Sequence, residues 1–475
     1  MYEKSVPMFS NKASNIKLRR DIKGINERVL VKGNKRRKYI YFDNAASTPT
    51  LVPVLNEMED YLNWYSGVHR GTGYKSLISS KIYDDCHEVI GNFVGADLSR
   101  DTIVFVKNTT EAINKLSYRL QLQPNDIVLI SSMEHHSNEL PWRSKAQVKY
   151  AQFDNNGKLD LNNLDCLLKR YHPRIKLLAV CGASNVTGHI NDVHLLAKMA
   201  HAYGCKILVD GAQLVPHQRF NMNPHSDTNH IDFLAFSGHK IYSPFGLGVL
   251  IGPRETFMNG SPEYQGGGTV KLVFKNEVFW SDPPDKEEAG SPNVVGAYAL
   301  ARTLAYLDKL GMDNLAKYEE ELTAYTLEKL RALNCVKIYG SQPRVGVISF
   351  NLKDMPHALV GAILCFEAGI GLRTGCFCAQ KYVRYLLGVK EDLEQLQFYE
   401  RNEMDKIPGM VRISLAPYNT REEVDHLITW LRYIADNRYE FRRRYKISPV
   451  QGGYIPSDII NKEYIKNVYN HYMKP

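Results

Sequence analysis

The chain has 475 residues, and its 60 Lys and Arg side chains outnumber 51 Asp and Glu, which gives a formal net charge of +9 at pH 7. Such a surplus suggests a nucleic-acid or membrane-surface partner. Residues 1–40 hold twelve basic and three acidic side chains and so contain all of it, since the other residues balance at 48 against 48. The composition therefore argues against a nucleic-acid-binding surface on the body. It predicts a basic N-terminal arm, solvated and partly disordered.

The body has the composition of an ordinary globular protein, with 44% hydrophobic, 11% aromatic and 23% charged residues, and is long enough for two domains or more. It contains no run of about eighteen apolar residues and no secretory signal, so we expect a cytoplasmic protein without a membrane partner. Organelle targeting by the basic arm is the less favoured alternative. The eight cysteines form no CxxC pair, so reduced thiols and no metal site are predicted.

Short apolar runs alternate with helical patterns between residues 100 and 250. The predicted buried strands are 102–106, 126–130, 175–181, 205–210, 232–237 and 248–252, and the predicted helices are 111–120 and 192–204. This alternation is typical of a doubly wound, largely parallel α/β sheet, which binds its ligand at the carboxyl ends of the strands. Chemistry is therefore expected just after each strand.

A second region begins near residue 300, where two long amphipathic patterns precede two short strand patterns of a smaller α+β domain. The predicted division is a basic arm (1–40), a large domain (41–300), a small domain (301–446) to which the N-terminal segment contributes, and a C-terminal tail (447–475).

Lys240 directly follows a predicted strand and precedes Gly246 and Gly248, which places its side chain in an apolar, glycine-lined turn. Burial disfavours the ammonium form, and a lysine that loses its proton readily can form a Schiff base. An isolated lysine at a strand end is more often a solvated loop residue, so the interpretation depends on its neighbours.

Three other strand ends carry polar side chains. Asp210 ends an apolar strand, where a carboxylate needs either a cationic partner or a role as a helix cap. Thr109 and Thr110 stand at a strand-to-helix turn, which can bind an anion or simply begin the helix. His135 offers a flat ring that could stack on an aromatic group, although one histidine there is more often structural.

Together the four signals describe one ligand. It has a phosphate, an aromatic ring, a ring nitrogen that needs a carboxylate and an aldehyde that needs an amine. These are the parts of pyridoxal 5'-phosphate (PLP), so the sequence predicts a PLP site.

The ordered motifs of the chain resemble those of the class V aminotransferase group of fold-type I PLP enzymes, and within it the cysteine desulfurases of the selenocysteine-lyase-like branch. The matching segments read, in order, YFDNAAST, SGVHRGTG, NTTEAIN, EHHSN, SNVTG, VDGAQ, FSGHK, EAGSPN, RTGCFCA and RISLAPYNT. The resemblance implies a large domain with a mostly parallel seven-stranded sheet, a smaller α+β domain, and a homodimer with its site at the interface.

The resemblance also implies roles for individual side chains. Lys240 would hold the cofactor as a Schiff base, Asp210 would pair with the pyridine nitrogen, and His135 would stack on the ring. The other cofactor contacts would come from Asn185 and Gln213 near the phenolic oxygen, from Thr109, Thr110, Ser237 and His239 at the phosphate, and from Ser291 of a second subunit. Arg412 would bind the α-carboxylate of an amino acid, with Arg373 assisting.

Cys378 falls where desulfurases of this branch carry the cysteine that forms a persulfide. That branch usually has RTGHHC, whereas this chain has RTGCFC, with Cys376 as a second thiol, as in the desulfurase domain of molybdenum-cofactor sulfurases. The alternatives are two inert buried thiols or half of a metal site. A long segment between Cys378 and Arg412 would lid the site or dock a sulfur acceptor.

The sequence thus predicts a PLP-dependent cysteine desulfurase that converts L-cysteine to L-alanine, with a persulfide on Cys378 for transfer to an acceptor protein. The alternative is a class V aminotransferase, epimerase or lyase for another amino acid, which needs Lys240 and Arg412 but not Cys378. A third hypothesis is a non-catalytic subunit whose basic arm contacts RNA or a sulfur-relay partner. The intact lysine, aspartate and phosphate-binding residues argue against it.

Overall fold

The computed structural model describes residues 11–33, 35–154, 156–390, 393–401, 403, 406–447, 453–457 and 460–473. Contacts divide the chain into two compact units. The first comprises Ala46–Ser184 and His189–Lys317 with the chain up to Lys23, and the second comprises Gly24–Ala45, Asn185–Gly188 and the chain from Tyr318 onward. Within the described ranges, no helix combines the length and the apolarity needed to cross a bilayer.

The strands are β1 (Arg28–Val31), β2 (Lys35–Lys38), β3 (Ile40–Tyr41), β4 (Asp101–Val106), β5 (Ile127–Ser131), β6 (Gln147–Ala151), β7 (Ile175–Cys181), β8 (Lys206–Asp210), β9 (Phe233–Ser237), β10 (Gly248–Pro253), β11 (Val270–Val273), β12 (Val278–Trp280), β13 (Val336–Tyr339), β14 (Val347–Leu352), β15 (Ile370–Gly371), β16 (Arg373–Gly375), β17 (Met410–Ser414), β18 (Tyr445–Ile447) and β19 (Tyr454–Pro456).

The helices are α1 (Asn11–Asp21), α2 (Val52–Leu62), α3 (Tyr74–Phe93), α4 (Thr109–Arg119), α5 (Leu140–Arg143), α6 (Leu161–Tyr171), α7 (Val193–His201), α8 (Arg254–Met258), α9 (Val294–Leu310), α10 (Met312–Arg331), α11 (His357–Ile363), α12 (Gln380–Leu387), α13 (Glu394–Glu400), α14 (Arg421–Asp436), α15 (Arg438–Arg444) and α16 (Ile460–Met473). Short 3-10 turns cover His136–Asn138, Gly238–Lys240 and Asp285–Glu287, and a short π-helix covers Leu364–Ala368.

The first unit is built on a seven-stranded sheet with the order β4-β10-β9-β8-β7-β5-β6. Strands β5 to β9 pair in parallel, and β10 runs antiparallel to both β4 and β9. Six strands therefore end at the same edge, which confirms the prediction of a mostly parallel α/β sheet. The apolar pattern does not predict β6, because this edge strand is only half-buried and carries Gln147 and Lys149.

Local sequence explains how side chains reach that edge. Strands β4, β5, β9 and β10 are buried at every residue, which suits their continuous apolar runs. Helix α4 begins at Thr109, but its N-cap is Asn108, whose side chain accepts a hydrogen bond from Glu111 N. Since Asn108 supplies the cap, the hydroxyls of Thr109 and Thr110 can take other partners.

The second unit is an α+β structure around an antiparallel sheet with the order β13-β14-β17-β16. Strand β15 pairs in parallel with β3, so residues from near the N-terminus belong to this unit. Its core includes Phe350 of β14, Val411 of β17 and Leu427 of α14. A capping box of Thr420 and Glu423 starts α14.

The units differ from the division expected from the sequence. Residues 11–38, which fall in the predicted basic arm, contain regular structure: α1 buries Ser14 and Leu18 in the first unit, and β1 and β2 form a hairpin in the second. The apolar pattern does not predict the hairpin, because all four residues of β2 are exposed and positively charged. The boundary falls after Lys317, within α10, and the tail contains β18, β19 and α16 where it is described.

Two expectations fall partly outside the described residues. Residues 1–10 of the predicted arm are outside them. The predicted lid or docking segment contains α12 and α13, and its residues 391, 392, 402, 404 and 405 are not described.

Candidate active site

Lys240 and Asp210 lie at the carboxyl edge of the sheet in the first unit. Asp210 is the last residue of β8, and Lys240 ends the 3-10 turn that follows β9. The Asp210 carboxylate is buried and accepts a hydrogen bond of 3.0 Å from Ala212 N. Burial raises the pKa of Asp210, whereas the positive charge of Lys240 lowers it. The two groups are therefore electrostatically coupled, as a carboxylate and an amine at one ligand site should be.

The backbone beside Lys240 is unusual. Tyr242 has a φ of 64°, in the left-handed region that side chains rarely adopt. Its N–H donates to Thr48 Oγ1 at 2.5 Å, which fixes the turn in this conformation. Burial and the neighbouring charge of Lys240 lower the pKa of His239 to about 4, so this imidazole is neutral at pH 7.

Hydroxyl groups surround the start of α4. Thr109 N donates to Ser237 Oγ at 2.7 Å, and the hydroxyls of the same two residues are 2.6 Å apart. Thr110 Oγ1 lies 2.7 Å from Ser137 Oγ, which is 2.9 Å from His135 Nδ1. The start of α4 and the turns after β5 and β9 thus bring together Thr109, Thr110, Ser237 and His135, and the hydroxyls among them suit an anion.

Gln213 and Ser291 occupy different surroundings. Gln213 is buried in the turn that follows Asp210. Ser291 is exposed in the loop before α9, where it lines a pocket of about 300 Å³ together with His69 and Arg70 of the SGVHRGTG motif.

The predicted cysteine loop belongs to the second unit. Cys378 is exposed, and both Phe377 and Cys378 have a φ of 54°, a conformation that costs about 1 kcal/mol or more for each side-chain-bearing residue. Cys376 is half-buried, and its thiol donates to Pro408 O at 3.0 Å. Burial raises the pKa of Cys376. The loop therefore exposes the Cys378 thiol to solvent and keeps the Cys376 thiol half-buried.

Asp43 connects the two predicted arginines of the second unit. Arg373 Nη2 lies 2.9 Å from Asp43 Oδ2, and its Nε is also within hydrogen-bond distance of that carboxylate. Arg412 Nη2 lies 3.2 Å from Asp43 Oδ1, and its Nη1 donates to Asn185 O at 3.0 Å. The Arg412 side chain is 3% exposed and that of Arg373 is 51% exposed, so solvent reaches Arg373 far more readily. Burial lowers the pKa of Arg412 to about 10, which leaves it charged at pH 7.

Asn185 holds the cysteine loop. Its Nδ2 donates to Phe377 O at 2.7 Å, and the ring of Phe377 lies over the Arg412 guanidinium at 4.7 Å. These contacts stabilise the left-handed backbone that carries Cys378.

Sequence reasoning missed the three residues that organise these groups: Asp43, Ser137 and Phe377. Each lies inside one of the motifs that carry the family resemblance. The acidic residue in YFDNAAST, Asp43, is the clearest sign in the sequence of a functional side chain among the three. Their roles depend on partners far away in the sequence, which spacing along the chain does not show.

The chain matches known proteins over most of its length. The family model for aminotransferase class-V matches residues 40–427. The chain belongs to the class V aminotransferase family. It is 36% identical to a cysteine desulfurase from Serratia proteamaculans, over 83% of this chain and 93% of that protein. It is 35% identical to a cysteine desulfurase from Haloferax volcanii, over 82% and 88%.

Solved structures agree with this family assignment. The apo cysteine desulfurase of Thermococcus onnurineus matches with a TM-score of 0.77 and 31% identity, over 92% of this chain and all of that one. The Escherichia coli cysteine desulfurase CsdA, in an S-sulfonic acid form, matches with a TM-score of 0.75 and 28% identity, over 89% and 98%. The fold is that of fold-type I PLP enzymes, and the chain is a PLP-dependent enzyme of this family.

The residues of the first unit fit PLP. The buried carboxylate of Asp210 accepts a neutral backbone N–H, and a protonated pyridine nitrogen would supply the cation that such a group needs. The hydroxyls and N-terminal amides of α4 suit a phosphate. Lys240 supplies the amine, so each part of the cofactor has a chemically matched side chain.

Proposed function

We propose that the protein is a cysteine desulfurase, which takes sulfur from L-cysteine onto Cys378 and releases L-alanine. The observation that carries the proposal is the state of the two thiols in RTGCFC. Cys378 is exposed on a strained loop, whereas the Cys376 thiol is half-buried and hydrogen-bonded to Pro408. The relatives named cysteine desulfurase support the same activity.

In this proposal the first unit holds the cofactor. Lys240 binds its aldehyde carbon, Asp210 pairs with its ring nitrogen, and the ring of His135 covers one face. Its phosphate and phenolic oxygen are held by Thr109, Thr110, Gln213, Ser237 and His239. When bound, PLP withdraws electrons from the substrate and so activates the bonds at Cα and Cβ.

The two arginines of the second unit would bind the substrate's α-carboxylate. Arg373 is half-exposed and so offers its guanidinium to an incoming carboxylate, which would share it with Asp43. Arg412 is buried against Asp43 and Asn185. We therefore assign the leading contact with the carboxylate to Arg373 and the supporting one to Arg412, the reverse of the order that the resemblance implies.

The chemistry balances without an outside oxidant. Lys240, once its amine is released, takes the proton from the substrate Cα. The Cys378 thiolate attacks the substrate sulfur, so that an S–S bond forms and the Cβ–S bond breaks, with its electron pair left on the substrate. Protons return to the carbon skeleton, which leaves as L-alanine, and Cys378 keeps one extra sulfur atom.

We further propose a cytoplasmic homodimer that passes this sulfur to an acceptor protein. All eight cysteines are free thiols, which suits a reducing compartment. Ser291 is exposed at the rim of a pocket in the first unit, where a second subunit could use it to bind phosphate.

The test is alanine release from L-cysteine with an excess of a thiol acceptor, combined with mass spectrometry of the peptide that contains residues 376–378 after incubation with L-cysteine in the absence of that acceptor. We expect alanine, and a gain of one sulfur atom on Cys378. The Cys378→Ala variant should lose acceptor-dependent turnover and the mass gain, whereas Cys376→Ala should keep both. Cys166→Ala, which removes another exposed thiol, is the matched control.

Two results would contradict the proposal. One is the absence of alanine, with spectral changes in the cofactor band caused by a different amino acid, which indicates another reaction of the class V family. The other is full alanine release by Cys378→Ala at saturating acceptor, which shows that this thiol is not the nucleophile.

A further inference from the structure

Two histidines and an aspartate lie together in the first unit, away from every residue assigned above. We call His201, His230 and Asp232 the histidine cluster. His201 is the last residue of α7, and Asp232 directly precedes β9. The cluster therefore lies at the amino end of β9, whereas Lys240 follows its carboxyl end.

The three side chains are close enough to share an ion. Asp232 Oδ2 is 2.8 Å from His201 Nε2, and Asp232 Oδ1 is 3.5 Å from His230 Nε2. One ligand atom from each residue lies within 4.8 Å of the others. The two imidazole rings are stacked, with their centroids 4.4 Å apart, so both Nε2 atoms approach the same carboxylate.

Backbone carbonyls occupy the other nitrogen of each ring. His201 Nδ1 lies 2.8 Å from Thr228 O, and His230 Nδ1 lies 2.6 Å from Asp227 O. A carbonyl oxygen can only accept, so each Nδ1 carries the hydrogen. A neutral imidazole has a single N–H, and its Nε2 lone pair therefore points at Asp232. Two lone pairs facing a carboxylate repel it, so a cation must lie between them, and it is either a proton on each Nε2 or one metal ion that both rings share.

We propose that the histidine cluster binds one zinc ion, through the two Nε2 atoms and the Asp232 carboxylate, with water in the fourth position. Two imidazoles and one carboxylate form a donor set that zinc prefers, whereas magnesium and calcium prefer oxygen ligands alone. Histidines that bind a metal typically donate their other N–H to a carbonyl or a carboxylate, which is the arrangement of both rings here.

The neighbouring pair of His225 and Asp101 does not compete for the ion. His225 Nε2 lies 2.8 Å from Asp101 Oδ1, so each of these groups already faces the other. The ring of His225 is 4.8 Å from that of His230 and closes one side of the cluster. His201 and His230 remain partly exposed, with side-chain exposures of 18% and 15%, which leaves a path for the ion.

A bound ion would tie together several parts of the sheet. Asp232 Oδ2 also accepts a hydrogen bond of 2.9 Å from Ile207 N, near the start of β8. The ion would thus join the end of α7, the amino end of β8 and the loop before β9. Strands β8 and β9 lead to Asp210 and Lys240, so we infer a structural ion that stabilises the scaffold of the active site.

The experiment measures zinc in the PLP-loaded enzyme after its thiols have been alkylated with N-ethylmaleimide, which prevents cysteine from binding the metal. After dialysis against buffered free zinc, plasma mass spectrometry should find one zinc per chain. His230→Gln and His201→Gln should each lose it. His194→Gln should retain it, because His194 contacts Asn229 O in the same region but is not part of the cluster.

Thermal unfolding provides the second measurement. Zinc at about 100 times its Kd should raise the Tm of the wild-type enzyme by about 3 degrees and should leave His230→Gln unchanged, while magnesium should shift neither. The site does not exist if the wild-type enzyme holds no zinc after alkylation, or if both folded cluster variants bind as much as His194→Gln. Either result would show that protons, not a metal, separate these rings from Asp232.

Discussion

The edge of the sheet in the first unit and the cysteine loop in the second unit position their functional side chains in opposite ways. At the sheet edge, Asp210 and Ser237 end strands that are buried almost throughout, and backbone pairing fixes their positions. In the loop, Cys378 is exposed and its backbone is left-handed. It is held by the Asn185 hydrogen bond and by the Phe377 ring on Arg412.

This difference suits the two kinds of chemistry. A resident cofactor gains from a rigid site, because groups that are already oriented need no reorganisation during the reaction. In the proposed function, the Cys378 thiol accepts sulfur and passes it on, so it must be reached by two different partners in turn. An exposed thiol at a loop tip permits that, and the strain of two left-handed residues is the cost of presenting it.

The largest expected effect comes from the rigid region. In the proposed mechanism, Lys240→Ala removes both the amine that holds the cofactor and the base for the Cα proton, so alanine release should fall by a factor of about 100 to 10,000. When both proteins are free of cofactor, the rate at which iodoacetamide alkylates Cys378 should not change, since the contacts of Asn185 and Arg412 that hold the loop all belong to the second unit. Lys107→Ala, an exposed lysine after β4, is the control. A change in the alkylation rate would show that the two regions are coupled.

The sequence predicts the rigid region better than the loop for a physical reason. Continuous apolar runs identify buried parallel strands, and the position of Asp210 at a strand end follows directly from the pattern. The group of hydroxyls at the start of α4 is only partly predictable in this way. Thr110 and Ser137 meet because α4 contacts the 3-10 turn at His136–Asn138, and that contact does not follow from proximity in the chain.

The contacts of the cysteine loop and of the histidine cluster cannot be predicted from apolar patterns in the sequence. The resemblance identified Cys378, but nothing in RTGCFC shows that Phe377 packs on Arg412, or that Asp43 joins two arginines about 330 and 370 residues away. His201 and Asp232 are likewise separated by thirty-one positions, so no ligand spacing marks them. Such contacts depend on tertiary structure.

A smaller effect is expected at the arginine pair. Arg373→Gln removes the guanidinium that solvent reaches, and the loss of a charge-assisted bidentate pair should raise the KM for L-cysteine about 10-fold to 100-fold. Steady-state kinetics measure this, with Arg432→Gln on the exposed face of α14 as the control. A lower kcat at unchanged KM would mean that Arg373 positions the loop instead of binding substrate.

The support of the loop is tested by Asn185→Ala, which deletes the hydrogen bond to Phe377 O. A net loss of about 1 kcal/mol corresponds to a roughly fivefold lower kcat, together with an altered alkylation rate of Cys378. Asn351→Ala is the matched control, because Asn351 Nδ2 also donates to a backbone carbonyl, that of Gly409. If the visible band of bound PLP shifts instead, Asn185 acts on the cofactor, as the family resemblance implied.

The smallest effect concerns His239 in the rigid region and appears as a pH dependence of stability. Burial and the charge of Lys240 lower the pKa of His239 to about 4, against about 6.5 in the unfolded chain. Between these values the unfolded chain binds a proton that the folded protein does not, so the free energy of unfolding falls as the pH is lowered from 7 to 4.

Glu134 acts in the opposite direction on the pH dependence of stability, because burial raises its pKa to about 7. Since Glu134 is present in both proteins, the comparison of wild type with His239→Gln isolates the histidine. Urea unfolding of the cofactor-free proteins at pH 7 and pH 5 should show a smaller loss of stability for His239→Gln. Equal losses in the two proteins would mean that His239 is protonated in the folded state, and thus that the edge of the sheet is less closed to water than its burial indicates.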